Sequence, residues 1–333
     1  MKTNHLASFI HGFLQDFLIV QKGFSPHTVL SYRDTIKMFL VFAATRNKKS
    51  VTNLTLSDLS PAISVKFLDH LETKRGNSRQ TRNNRLACLH SFFRYVAGHD
   101  PRAFEQCQRI LIIPFKRTKS SPIEYLERKE VKAILEAVDR TTQNGYRDYT
   151  LFSFMYNTGA RVDETVRLTP RSFQLQRPFQ VRFSGKGAKE RLCPLWPETV
   201  KLLRALFRQK GLDAQSNSPV FTNRRGEALT RHGVRYLLNK YVKIATTNCP
   251  SLKEKCIHPH SIRHATAMHM LQAGVDINSI RAWLGHANLK TTNRYAEHDL
   301  EMKRKLLEKY LPSSKAYRPW KKNRDILEWL ESL

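Results

Sequence analysis

A mainly α-helical chain in two domains, with one small antiparallel sheet in the second, is what the amino-acid sequence predicts. Three observations carry that expectation. Apolar residues recur at helical spacing through most of the 333 residues, and two of these stripes open on a Ser-Pro pair. A stretch rich in Lys, Ser and Pro, from Ile113-Pro114 to Pro122, interrupts them. The pattern turns strand-like only beside a glycine-punctuated segment near residue 186. A chain of this length exceeds one typical domain, suits two and can bury a real core.

Taken in order, Phe9, Phe13 and Phe17 lie at i, i+4 and i+8, the period of one helix face. Ser25-Pro26 reads as an N-cap followed by proline in the first turn, opening a helix with Val29, Tyr32, Ile36, Phe39 and Leu40. Ser60-Pro61 repeats the signal before Ile63, Phe67 and Leu71. A fourth helix is expected from about Ser78 to Val96, its stripe formed by Leu86, Leu89, Phe93 and Val96. Arg79, Arg82 and Arg85 sit in its N-terminal half, where free N–H groups and the helix dipole favour anions; they are candidate phosphate contacts. The plain alternative is that they solubilise a helix end.

These helices predict an N-terminal domain over residues 1–105 and a linker over 106–124. The second domain, 125–311, opens on a helix with Val131, Ile134 and Leu135, followed by Leu151, Phe154 and Met155 before a break at Thr158-Gly159. Phe179–Phe183 and Arg191–Leu195 read as two strands joined by a hairpin through Ser184–Glu190. After Pro197 the pattern is helical to about Tyr310, leaving 312–333 as a tail in which Ile326, Trp329, Leu330 and Leu333 line one face.

Charge narrows the function. Lys and Arg number 57 against 28 Asp and Glu, a net +29. The excess runs through the whole chain, which favours a polyanion, and nucleic acid over a lipid surface. The first apolar run, Leu6 to Val20, is interrupted by His11, Gln15 and Asp16, and no stretch is long and apolar enough to span a bilayer. Five scattered cysteines fit reduced thiols in a cytoplasmic protein. Cys249, Cys256, His258 and His260 lack a CxxC pair, so neither a metal nor any other cofactor is expected.

Three separated segments stand out. They are Thr158 to Glu164 around Arg161, His260-Ser261-Ile262-Arg263-His264, and Leu284-Gly285-His286 followed nine residues later by Tyr295. Singly, each has a dull explanation: a surface ion pair, polar helix residues, a half-buried tyrosine. Together, TGAR at 158–161, GKG at 185–187, HSIRH at 260–264, LGH at 284–286 and Tyr295 resemble the tyrosine recombinases, or phage integrase family. The stretch SPHTVLSYRDTIKMFLVF at 25–42 is similar to the DNA-clamping helical domain of the Xer-type and integron-type branches. The resemblance spans about residues 5–310.

That resemblance implies a C-shaped clamp, made of an N-terminal SAM-like core-binding domain and an α-rich catalytic domain. It implies site-specific recombination of double-stranded DNA through a 3′-phosphotyrosyl link. By the same match Tyr295 is the nucleophile, Arg161 and Arg263 hold the nonbridging oxygens, and Lys186 (with Lys189 as rival) protonates the leaving oxygen. His260 accepts the tyrosine proton or hydrogen-bonds the phosphate, His286 donates to the phosphate and positions Tyr295, and Glu164 orients Arg161. Asp163 departs from the small residue usual in the family. A tetrameric synapse is implied, of identical chains or with a sister recombinase, the tail docking on a neighbour or folding back on its own domain. Two other readings stand beside this one: a type IB topoisomerase, separable by a relaxation assay on plasmid lacking a cognate site, and a non-catalytic DNA-binding accessory protein, separable by covalent adduct trapping.

Overall fold

The computed structural model describes residues 5–118, 124–184 and 190–285. They form two compact units dividing between Ser121 and Pro122. Mainly helical, with one three-stranded antiparallel sheet in the second unit, they have the predicted fold class.

In the first unit the opening helix α1 (His5–His11) continues as a wider π-helix over Gly12–Gln21. Gly12 allows this segment to lie against Tyr95, since a Cβ there would stand 2.4 Å from the tyrosine hydroxyl. Helices α2 (Pro26–Asn47), α3 (Pro61–Thr73) and α4 (Arg79–Ala97) start one residue after Ser25, Ser60 and Ser78. Ser60 and Ser78 accept hydrogen bonds from the backbone N–H of Ile63 and Thr81, satisfying donors that a helix start otherwise leaves open. Phe13, Phe39, Phe67, Phe92 and Phe93 are fully buried among these helices.

The expected linker needs correction at its start. Residues 104–111 form α5 (Phe104–Leu111), packed on α3 and α4, and bury Cys107 and Ile110, with Ile113 following. Their apolar spacing of three outweighs the proline and lysine signals that come after. Arg82 is also corrected. It is buried, and its Nη1 donates to the Pro114 carbonyl (3.0 Å) and to Asn83 (3.2 Å). It occupies the first position of the stripe that continues through Leu86, Leu89 and Phe93, so its stem faces the core while its head meets a carbonyl. Arg85 is half-buried and donates to Ser31 O and Thr35 Oγ1 at 3.2 and 2.7 Å. Arg79 alone of the three is exposed.

In the second unit α6 (Arg128–Glu136) and α7 (Gln143–Thr158) precede the short α8 (Val162–Val166). Strands β2 (Gln180–Ser184) and β3 (Glu190–Pro194) pair antiparallel, with Phe183 opposite Arg191. A third strand, β1 (Phe173–Gln174), adds to the free edge of β2. Two residues are too few to show alternation in a sequence. The expected continuous helical pattern after Pro197 is interrupted. Helix α9 (Pro197–Gln209) ends before an irregular stretch with Gly211, Pro219 and Gly226, after which come α10 (Arg231–Ala245), α11 (Pro259–Gln272) and α12 (Ile277–Leu284). Phe154, Phe183, Phe221 and Leu203 lie at the centre of this unit's core. Among the described residues no helix is long and apolar enough to cross a membrane.

Candidate active site

Gly159 ends α7 in a left-handed conformation (φ +59°), where a Cβ would stand 2.4 Å from Leu284. That tight reversal puts Arg161 at the N-cap of α8, its backbone extended. Glu164, in the first turn of α8, reaches back: Oε2 accepts the Arg161 backbone N–H and Oε1 accepts its Nη1, each at 2.8 Å.

The second arginine arrives on α11, whose start is set by Pro259. His260 lies in its first turn and is exposed; Arg263, on the inward face, is 3% exposed. The guanidinium of Arg263 bridges two helix ends. Nη1 donates to Gly159 O after α7, and Nη2 to Leu284 O, the last residue of α12, both at 2.7 Å. Gly285 turns the chain away from α12 (φ +65°), and its carbonyl accepts a longer contact, 3.4 Å, from Arg161 Nη2. Two guanidinium groups thus hold adjacent carbonyls at the C-terminal end of α12, where helix carbonyls carry partial negative charge. His286 is the next residue along the chain.

Arg161 is therefore brought together with Arg263 and with His260, which precedes Arg263 by one turn of the same helix. Lys186, His286 and Tyr295, with Lys189 and the tail, lie outside the described residues. The His260 imidazole is held below the ordinary histidine value, first by the protein around it and then by the charges of His258, Arg263 and Arg161; Asp163 opposes them. Asp163 itself pairs with Arg231 at the start of α10 (3.1 Å). Among the described residues no group of three or more His, Cys, Asp or Glu side chains gathers to hold a metal ion.

One residue escaped the sequence reading. Arg191 of β3 lays Nη1 and Nη2 on both oxygens of Glu164, at 2.9 and 3.0 Å. The signal was strand alternation, which puts Arg191 on the same side as buried Cys193. A charged residue on an inward face needs a partner of opposite sign. Burial by itself would raise the Glu164 carboxyl. The bonds and charge of Arg191, with the backbone N–H and charge of Arg161, outweigh it and hold the group at about 2.

Glu164→Gln should then destabilise the chain by about 2–3 kcal/mol, because two part-buried cations lose their shared anion. The sign of the pH dependence follows from the lowered value. The stabilisation is fully present above the ordinary carboxylate value of 4.5 and fades as pH falls toward about 2. Unfolding midpoints measured against pH should converge for the two proteins in that window. Parallel curves throughout would refute the assignment.

Comparison with known proteins gives the family. Residues 124–302 match the model of the phage integrase family, and residues 10–98 match that of the phage integrase N-terminal SAM-like domain. The chain is 39% identical to the provisionally named integrase/recombinase y4rC of Sinorhizobium fredii, over 99% of this chain and 100% of that one. It is 31% identical to the tyrosine recombinase XerC of Pelotomaculum thermopropionicum, over 90% of this chain and 96% of that one. Among solved structures, the XerH recombinase bound to its palindromic difH substrate shares the fold with a TM-score of 0.66 and 21% identity, covering 86% of this chain and 80% of that one. The Tn1549 transposon integrase, in complex with a circular intermediate DNA, does so with a TM-score of 0.66 and 16% identity, covering 89% and 98%.

These matches define an enzyme of the site-specific recombinase class. The chain belongs to the phage integrase family of tyrosine recombinases.

Proposed function

We propose that this chain recombines duplex DNA at a specific site by reversible transfer of a DNA strand to Tyr295. The tyrosine hydroxyl attacks a phosphodiester, the 5′-oxygen leaves with a proton from Lys186, and a 3′-phosphotyrosyl link remains. The 5′-hydroxyl of another strand reverses the step, so one phosphodiester replaces another and no energy source is consumed.

The observation that carries this reading is the convergence of Arg161 and Arg263 on adjacent carbonyls, Gly285 O and Leu284 O. Two planar cationic forks side by side suit the nonbridging oxygens of a five-coordinate phosphorus, where charge builds in the transition state. The excess of 57 basic over 28 acidic residues suits the duplex itself. Four chains would synapse two sites, either identical or shared with a sister recombinase. The task we favour is movement or resolution of mobile DNA.

His260 supplies the acceptor for the tyrosine proton. Because its imidazole is held below the ordinary value, it is neutral at physiological pH and able to accept. Single-turnover cleavage should therefore stay level down to the ordinary histidine value and fall only below it as His260 protonates. In His260→Gln that acid limb should vanish along with most of the rate. A limb that persists would assign the titration to another group.

The decisive experiment uses a duplex nicked close to the cleavage point, so that the leaving fragment diffuses away and the covalent adduct accumulates. Digestion and mass spectrometry should place the phosphodiester on Tyr295. An adduct on another residue, or none on a substrate the chain binds, would overturn the reading.

A further inference from the structure

We propose that Asp163 is a positioning residue for His260, its carboxylate set against the cations around that imidazole and balanced by its own ion pair with Arg231. This deepens the reading of His260 as acceptor of the tyrosine proton and rests on it. The groups come from three helices. Asp163 lies in the first turn of α8, two residues after Arg161. His260 lies in the first turn of α11, and the bond from Arg263 Nη1 to Gly159 O (2.7 Å) holds that helix against the turn that leads into α8. Arg231 is the first residue of α10, which packs on both α8 and α11. It meets Asp163 at two points, Nε to Oδ1 at 3.1 Å and Nη1 to Oδ2 at 3.4 Å.

Two features set this pair apart from one kept for stability. The side chains of Arg231 and Asp163 are 51% and 45% exposed, and pairs so open to water contribute little to folding. Arg231 also stands against the dipole of its own helix, whose N-terminal end carries partial positive charge. The start of α10 is capped without it, by Thr230 Oγ1 accepting the Gly233 N–H at 3.0 Å. The arginine therefore serves Asp163 rather than α10.

The charges that act on the His260 imidazole have opposing effects. His258 and Arg263 from its own segment, and Arg161 from the start of α8, disfavour its protonated form; Asp163 favours it. The His258 ring lies 6.2 Å from that of His260, centroid to centroid. Arg231 offsets part of the Asp163 charge and so limits the support that the carboxylate gives. The pair thereby sets the pH at which the acceptor becomes filled and cleavage stops.

Two substitutions test this by their opposite signs. Asp163→Asn removes the carboxylate and should lower the titration midpoint of His260 by about half a pH unit; Arg231→Gln leaves the carboxylate unmatched and should raise it by about as much. A pair that merely braced α8 against α10 would move the midpoint the same way in both variants, or not at all. In the double variant, Arg231→Gln should add little to Asp163→Asn, because the arginine acts through the carboxylate.

The midpoint is read twice on the full chain. Histidine ring resonances followed by NMR against pH give it without substrate, the His260 signal being identified by its loss in His260→Gln. The acid limb of single-turnover cleavage gives it with DNA, independently of the height of the plateau. Ring shifts of the same sign in both variants, no shift in either, or an undiminished Arg231→Gln effect without Asp163 would overturn the proposal. Ring resonances that move as expected beside a cleavage limb that stays in place would instead overturn His260 as the proton acceptor, and the catalytic meaning of the pair with it.

Discussion

Arg263→Lys is expected to slow DNA cleavage by about 10²–10³-fold while leaving DNA affinity nearly unchanged. Charge is conserved in this substitution, so any loss reports geometry. The guanidinium sends its two terminal nitrogens in diverging directions, to Gly159 O and Leu284 O, and so joins the ends of α7 and α12. A lysine ammonium places all its donors on one atom and cannot reach both carbonyls. At 3% exposure, water does not replace the missing donor, and one helix end is left with an unmet acceptor. The phosphate then meets a cation that is neither forked nor fixed. Arg161→Lys should lose cleavage similarly with a smaller effect on stability, since the Arg161 side chain is 40% exposed. Single-turnover cleavage and gel-shift titration of each variant give the two numbers. A lysine variant that cleaves at the wild-type rate would show that forked recognition is not needed.

Tyr295→Phe is expected to remove the covalent adduct altogether, a loss of about 10⁴-fold or more. The phenyl ring keeps the size and shape of the side chain and discards only the hydroxyl, so folding and DNA affinity should be preserved. On the proposed mechanism the remaining groups, Arg161 and Arg263 among them, would still bind and polarise the phosphate, but nothing would form the new ester bond. Labelled substrate resolved on a denaturing gel gives the readout. An adduct of undiminished yield would move the nucleophile elsewhere in the chain.

Much of the scaffold was legible because its signals are local. Ser60 and Ser78 cap the helices that follow them, and the Thr158-Gly159 break is a left-handed residue that ends α7. Strand β1 was not legible, being only two residues long. Arg161 and Arg263 could be paired from their motifs alone, but not the carbonyls that hold them, because Gly159, Leu284 and Gly285 offer backbone atoms that every residue has. Arg82 was misread for a physical reason. Its position near a helix N-terminus suggested an anion, while its phase with Leu86, Leu89 and Phe93 placed it on the buried stripe. Packing decided. The same reasoning finds Arg191, a cation on the inward side of a strand, where its partner is Glu164, 27 residues earlier in the chain.

Glu164 also constrains how this family member can change over generations. A carboxylate serving two guanidinium groups at once makes positions 161, 164 and 191 a three-body unit. Losing the acid leaves two cations facing each other, and losing Arg191 leaves the acid with Arg161 alone, so single steps are penalised more than pairs. Such epistasis predicts that related recombinases exchange positions 164 and 191 in concert, and that a directed-evolution library randomising them one at a time would recover little beyond the parent.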